Sequence, residues 1–324
     1  MRIGVMARGE TAQLDWAKGL GFQAIEWVAF DRSPAALPQG DWRGYADEIA
    51  DAAKVRDMRI SAIAALYANP LDPRQSERAR ELFKRAIEVA AHIGVRTVAG
   101  FSGAVVETRM NERGGNLVYR AFEEYIPRML ADWEPIARFA SDRGVRIAFE
   151  NCPQGIWRLP VMGHNFFGHT GLWEMFFNAT QCDNLGLEWD PSHLICQMVD
   201  PVANIRKFAA RIFHVHAKDA FINKRMLEEY GICHPGVAEH RTVGLGQAHW
   251  GEIVHTLMRV GYDSDMTVEG RHDPVFRDWE ELAEIPGAGA RHPLAGRNIE
   301  DAGLRIAIRT LEQYIPMQTK TEGK

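Results

Sequence analysis

Short apolar segments rich in β-branched residues alternate with longer amphipathic segments along almost the whole chain. The apolar segments have the length of strands, and the amphipathic segments have the apolar spacing of helices. The sequence predicts eight strands, over residues 2–7, 24–29, 59–66, 97–102, 146–151, 185–190, 212–218 and 266–270. It predicts helices over residues 11–20, 45–56, 73–93, 116–143, 172–179, 201–210, 250–260 and 299–314. Such alternation is typical of right-handed βαβ units and a parallel sheet.

Eight units in 324 residues leave about 40 residues for each unit, which suits a (β/α)8 TIM barrel. We expect a single catalytic domain over residues 1–317 and a polar C-terminal tail over residues 318–324. A doubly wound open sheet is the competing architecture. Three segments without a clear period, 153–171, 220–247 and 271–298, each follow a predicted strand. In a barrel they would form long loops on the C-terminal face, where barrel active sites are built.

The overall composition excludes several classes of protein. The chain has 38 Lys and Arg against 43 Asp and Glu, a net charge of −5, which gives no general attraction for nucleic acid. No apolar run approaches the roughly 20 residues that cross a bilayer. The four cysteines lack CxxC spacing, which suits reduced thiols in the cytoplasm. We therefore expect a cytoplasmic protein with neither a nucleic-acid nor a membrane partner.

Polar residues lie near the C-terminal ends of the last four predicted strands. These residues are Glu150, Asp190, His216 and Glu269. Parallel strands covered on both faces are normally almost wholly apolar, and an unpaired buried charge is costly. Convergence on one divalent ion, such as Mn, Co, Mg or Zn, would satisfy all four groups. Taken singly, each glutamate could instead pair with an arginine. His214 shares a strand face with His216, so the choice between ligand and support stays open there.

The residues around these positions carry a family resemblance. The segments 149–151, 189–193, 216–219 and 268–270 resemble the sugar phosphate isomerase/epimerase superfamily of xylose isomerase-like TIM barrels. The turn over residues 244–247 resembles the glycine-rich turn before the seventh helix of those proteins. The resemblance implies that Glu150, Asp190, His216 and Glu269 are the ligands of one divalent metal ion, with manganese first. It also implies a homo-oligomer, and Glu26 resembles a glutamate frequent on the second strand.

The resemblance further implies a sugar substrate. Glu150 and Glu269 would be the catalytic residues, one removing a proton next to a carbonyl and the other returning one through a metal-stabilised enediolate. The ketose epimerases carry an arginine six residues after the histidine ligand, where this chain has Ile222. The residues expected to bind substrate are His193, Lys218, Arg241, Arg271 and Trp157.

Three other functions are weighed against a sugar isomerase or epimerase. A lyase would use the same enediolate for β-elimination, as inosose dehydratases do. The segments 187–193 and 269–274 also resemble the larger subunit of C-glycoside deglycosidases, which act on 3-oxo-glycosides with a small β-rich partner subunit. A repair endonuclease of the endonuclease IV type would need more histidine ligands and a basic groove. The non-enzyme alternative is a metal-binding barrel subunit.

Overall fold

The computed structural model describes residues 1–28, 42–65, 69–105, 108–111, 114–117, 121–153, 165–270, 272–276 and 299–315. Its strands are β1 (Ile3–Arg8), β2 (Ala24–Val28), β3 (Arg59–Ala65), β4 (Thr97–Gly100), β5 (Thr108–Asn111), β6 (Gly114–Leu117), β7 (Arg146–Glu150), β8 (Leu185–Trp189), β9 (Ile212–Ala217), β10 (Asp219–Ile222), β11 (Ala238–Arg241) and β12 (Met266–Val268). Its α-helices are α1 (Thr11–Leu20), α2 (Trp42–Val55), α3 (Ser76–His92), α4 (Phe122–Ser141), α5 (Thr170–Ala179), α6 (Pro191–Cys196), α7 (Pro201–Phe208), α8 (Lys224–Tyr230), α9 (Trp250–Arg259) and α10 (Ile299–Glu312).

Eight of these strands close into one parallel barrel. The order around the ring is β1-β12-β9-β8-β7-β4-β3-β2, and every neighbouring pair is parallel. A helix follows each barrel strand and returns the chain to the next one. The expected (β/α)8 TIM barrel is confirmed, and the doubly wound open sheet is wrong.

Side-chain alternation divides the apolar residues between two layers. Ile147 and Phe149 of β7 belong to the main core between strands and helices, where Phe149 contacts Trp133 of α4 with ring centroids 4.5 Å apart. The barrel interior is filled in part by Phe213, and a β-bulge on β9 accommodates this residue. A Cβ on Gly186 would lie 2.4 Å from the Phe213 ring. Glycine is therefore required on β8 where the phenyl ring crosses the barrel.

The structure departs from the predicted elements at three described segments. Residues 191–196 form helix α6, which was not predicted. A helix predicted from residue 116 begins only at Phe122, because residues 114–117 pair with β5 as strand β6. The segment 220–247, expected as a loop, contains β10, α8 and β11, with β10 and β11 paired antiparallel. Much of the other two expected loops, and the tail 318–324, lie outside the described residues. None of the described helices has the length and apolar character needed to span a membrane.

Candidate metal centre

Period-two alternation directs the polar side chains of the barrel strands inward. On β8, Trp189 points outward and its indole Nε1 donates to Asn204 of α7 at 2.9 Å. The neighbouring residues Glu188 and Asp190 therefore point into the barrel. Both are completely buried. The same alternation on β9 places His214 and His216 inside.

Three of the four expected metal ligands lie together at the C-terminal mouth of this interior, and the fourth, His216, approaches two of them. The Nδ1 atom of His216 lies 3.5 Å from Oε1 of Glu150 and 3.4 Å from Oε2 of Glu269. Ligand atoms of Glu150, Asp190, Glu269 and the nearby His193 all lie within 4.8 Å of one another. The barrel thus gathers the three expected carboxylates with His193, whereas the ligand atoms of His216 form a second group with those of Glu26, Glu188 and His214.

Asp190 is oriented by the start of helix α6. Its Oδ1 accepts a hydrogen bond from the backbone N–H of Ser192 at 2.7 Å, as a helix N-cap does. Asn151 exchanges two further hydrogen bonds with the Asp190 backbone. The remaining oxygen, Oδ2, faces the ammonium of Lys218 at 3.0 Å. One oxygen is therefore used by the fold, and the other faces the cluster.

Lys218 and His193 lie beside the carboxylates of this cluster. The Nζ atom of Lys218 hydrogen-bonds to Glu269 and lies 3.1 Å from Nε2 of His193. His193 in turn lies 3.6 Å from Asp190 and 3.8 Å from Glu150. Both cationic side chains expected to bind substrate in this region are therefore brought to the carboxylates.

The donor set fits a divalent ion. His216 Nε2 lies 2.7 Å from Glu26 Oε2, and this pairing places the ring proton on Nε2. Nδ1 is buried without a hydrogen-bond partner among the described residues. Burial opposes protonation of His216, but the carboxylates of Glu188 and Glu26 raise its pKa well above the ordinary value, so a metal ion would have to displace the proton of Nδ1. The spacing of Nδ1 from Glu150 and Glu269 is close to the roughly 3.0–3.4 Å between neighbouring ligands of an ion bound at about 2.1 Å. A carboxylate behind a ligating histidine is also a frequent feature of metal sites.

A second polar chain lies deeper in the barrel, beneath His216. His214 Nδ1 is 2.7 Å from Oε1 of Glu188, and His214 Nε2 is 3.0 Å from Oγ of Ser61. Ser61 donates its own proton to the carbonyl of Ile25, so it accepts from His214. Burial, with the neighbouring charge of Glu26, raises the pKa of Glu188 well above its ordinary value, and burial lowers the pKa of His214 to about 4. The chain is therefore neutral, and the Glu188 carboxyl donates to His214.

The two proposed catalytic carboxylates are ionised. Burial opposes ionisation of Glu150, but the imidazoles of His193 and His216 outweigh burial and lower its pKa to about 2. Burial also opposes ionisation of Glu269, where Lys218 and His272 hold the pKa well below the usual value. Both groups are thus unprotonated at neutral pH.

Of the other expected substrate-binding residues, only Arg241 lies in the described part of the chain, and it lines a small cavity together with Glu269 and His272. Arg241 pairs with Glu239 at 2.6 Å and lies over the ring of Phe221. Arg271 and Trp157 lie outside the described residues.

The fold brings to this site two residues, Cys152 and Glu188, to which sequence reasoning gave no role in it. It also brings His240 and His272, which the sequence offered only as extra histidine ligands of a repair endonuclease. His272 Nε2 contacts Glu269 at 2.8 Å. His240 arrives from β11, inside a segment that was expected to be a loop. The signal available for Glu188 was its position two residues before Asp190, on the same strand face.

Known proteins share this architecture. A family model described as the xylose isomerase-like TIM barrel matches residues 14–291. YfiH of Bacillus subtilis (strain 168), described as uncharacterized, is 25% identical over 317 residues, covering 86% of this chain and 90% of YfiH.

Two solved structures have the same fold at low sequence identity. The IolI protein with a bound zinc atom has a TM-score of 0.66 at 17% identity, with 98% of this chain and 100% of that chain covered. D-Psicose 3-epimerase with D-tagatose, from Clostridium cellulolyticum H10, has a TM-score of 0.62 at 16% identity, with coverage of 96% and 100%. The family model covers most of the chain, and the protein belongs to the xylose isomerase-like TIM barrel family.

Proposed function

We propose that this protein is a divalent-metal-dependent sugar isomerase or epimerase. The observation that carries the proposal is the pair Glu150 and Glu269, whose carboxylates approach His216 Nδ1 at 3.5 and 3.4 Å. Their strands, β7 and β12, are three places apart in the ring of eight. The two groups therefore reach the mouth from well-separated directions, as removal and return of a proton on opposite faces of a sugar requires.

Glu150, Asp190, His216 and Glu269 would hold the ion. Three carboxylates and one imidazole form an oxygen-rich set that suits manganese first, with Co, Mg or Zn as alternatives. A bound divalent ion would polarise the carbonyl of the substrate and stabilise negative charge beside it. The zinc atom of IolI supports a metal in this family without fixing its identity here.

The side chains around the carboxylates would perform the proton transfer. Glu150 or Glu269 would remove the proton next to the carbonyl, giving an enediolate, and the other, after taking a proton from solvent, would return it to the opposite face. Each such acid–base step contributes roughly 10²–10⁴-fold to the rate. His193 and Lys218 would hold substrate oxygens, since both present N–H donors beside the carboxylates. Substrate binding by Arg241, Arg271 and Trp157 stays a prediction.

One observation favours the lyase alternative. A cavity of about 180 Å³ adjoins Glu269 and is lined partly by Met6, Trp16 and Val28. The cavity is also lined by Arg8, Gln13 and Glu300. Its apolar wall beside a base would suit the aglycone of a 3-oxo-glycoside, and the same enediolate would then expel that group. A homo-oligomer and a small β-rich partner subunit also stay predictions.

The test is NMR in D2O on purified, metal-analysed protein with D-fructose, D-tagatose and 3-oxo-glycosides. We expect one equivalent of divalent metal, with solvent deuterium next to the carbonyl and a new isomer. A released aglycone or an unsaturated keto sugar would establish the lyase. A protein that holds metal but exchanges no proton would contradict both enzymes and favour a binding subunit.

Two carboxamide variants separate chemistry from folding. Glu150→Gln and Glu269→Gln should each lower turnover at least about 100-fold, because an amide cannot accept the proton. Glu174→Gln is the matched control, since Glu174 lies on α5 and pairs with Lys207 at the surface. Full metal content with full activity in either site variant would contradict the proposed mechanism.

A further inference from the structure

The hairpin formed by β10 and β11 covers one side of the site. β10 begins two residues after the end of β9, and Ala220 on β10 pairs with His240 on β11. Directly paired residues share a face of a hairpin. The face that contains Ala220 packs on Ile195 and Cys196 of α6. His240 is therefore directed to the same side as α6, the helix that carries His193.

The opposite face of the hairpin points away from α6. Alternation places Phe221, Glu239 and Arg241 there, and Arg241 is held by the Glu239 carboxylate and by the Phe221 ring. The hairpin therefore directs the imidazole of His240 toward α6 and His193. Arg241 lies on the other face, where it lines a small cavity with Glu269 and His272.

Three imidazoles from three elements meet beside the carboxylates. The ring centroid of His240 lies 4.9 Å from that of His193 and 5.9 Å from that of His272. His193 and His272 each contact carboxylates, His193 at Asp190 and His272 at Glu269. His240 thus lies between two residues that touch the expected ligand set.

His240 has unused hydrogen-bonding capacity. Its Nδ1 atom is buried and has no hydrogen-bond partner among the described residues. A buried polar atom without a partner costs about 1–3 kcal/mol, so native structures normally supply one. Burial, together with the nearby cations Lys218 and His193, keeps the pKa of His240 well below its ordinary value. The ring is consequently neutral and offers one donor and one acceptor.

We propose that His240 forms, with His193 and His272, a subsite for the hydroxyl groups of an uncharged sugar held at the carboxylate cluster. A hydroxyl both donates and accepts, which matches a neutral imidazole, whereas a phosphate at neutral pH chiefly accepts. This subsite rests on the proposed function, because a sugar is the substrate class that the function supplies. It selects sugars by a hydroxyl beyond those next to the carbonyl.

The test is calorimetric binding and steady-state kinetics on the metal-loaded full chain with D-fructose, D-tagatose and a 3-oxo-glucoside. His240→Ala should raise both Kd and KM about 10-fold, with metal content unchanged and kcat within about threefold, as loss of uniform binding requires. His240→Asn should restore most of the affinity, because the asparagine amide can replace Nδ1. His255→Ala is the matched control, since His255 is exposed on α9.

Each result decides the matter. Equal Kd and KM in wild type and His240→Ala would overturn the subsite while leaving the proposed function intact. Loss of metal in His240→Ala, not rescued by asparagine, would assign the residue to support of the metal site and also overturn the subsite. A wild-type protein that neither binds nor converts any of these sugars would overturn the proposed function, and the subsite with it.

Discussion

At the residue scale, His216 shows how one side chain links the barrel interior to the mouth. Its Nε2 is paired with Glu26 at 2.7 Å, and its Nδ1 faces Glu150 and Glu269. Glu26 is completely buried on β2. The glutamate fixes both the tautomer and the orientation of the ring, which is the role of carboxylates behind ligating histidines.

Glu26→Gln should weaken metal binding roughly 10–100-fold. The neutral amide makes His216 a poorer ligand and no longer fixes its tautomer. Competition with a chelator measures the dissociation constant directly. The control is Glu48→Gln, an exposed position on α2. An affinity within about twofold of wild type would mean that Glu26 does not act on His216.

At the element scale, Asp219 joins the hairpin to the loop before α9. Its Oδ1 accepts from the backbone N–H groups of Ala220 and Ala248, and its Oδ2 accepts from Gly244 N and from Trp250 Nε1. A Cβ on Gly246 would lie 2.1 Å from this carboxylate. The glycine-rich turn is therefore shaped around one buried carboxylate.

Asp219→Asn should lower the free energy of unfolding by about 3 kcal/mol. The asparagine amide would present a donor to N–H groups that need an acceptor. Urea denaturation measures the change. Trp250→Phe removes only one of the four hydrogen bonds and should cost about 1 kcal/mol. Equal losses in the two variants would show that the carboxylate does not hold the turn.

At the scale of the whole molecule, closure of the barrel creates a buried polar column. In the closed ring, β1 and β12 lie between β2 and β9. Barrel closure therefore brings Glu26 on β2 to His216 on β9. Beneath this pair, His214 and Glu188 are completely buried. A neutral, buried histidine makes the stability of the molecule depend on pH, because the unfolded chain binds a proton that the folded chain excludes.

The pKa of His214 is lowered to about 4 in the folded protein, against about 6.5 in the unfolded chain. Its contribution to stability is therefore complete above pH 6.5 and is lost as the pH falls toward 4. Between pH 7 and 5, metal-free wild type should lose about 2 kcal/mol more unfolding free energy than His214→Asn. Urea titrations at both pH values measure this difference. Equal losses of unfolding free energy in the two proteins would mean that a group other than His214 causes the pH dependence.

Much of the fold and part of the site can be predicted from the sequence. The eight barrel strands were predictable because each is a local apolar run, and the proximity of Glu150, Asp190 and Glu269 was predictable because parallel strands end on one face. The metal-ligand role of these residues and of His216 stays a prediction. The described part of the structure also shows features that were missed, such as the hairpin within residues 220–247. Its short strands carry too few apolar residues to give a local signal.

The sequence by itself determined most of the residues that face the barrel interior, since period-two alternation along a strand is a local property. The exception on β9 is the bulge, where the adjacent Phe213 and His214 both face inward. Only the tertiary structure decided which interior residues meet. Glu26 and His216 are 190 residues apart in the chain, and barrel closure brings them together. His240 rather than Arg241 is directed toward α6 because pairing with β10 and packing on α6 fix the hairpin register. Such register depends on partners elsewhere in the chain, so no local pattern specifies it.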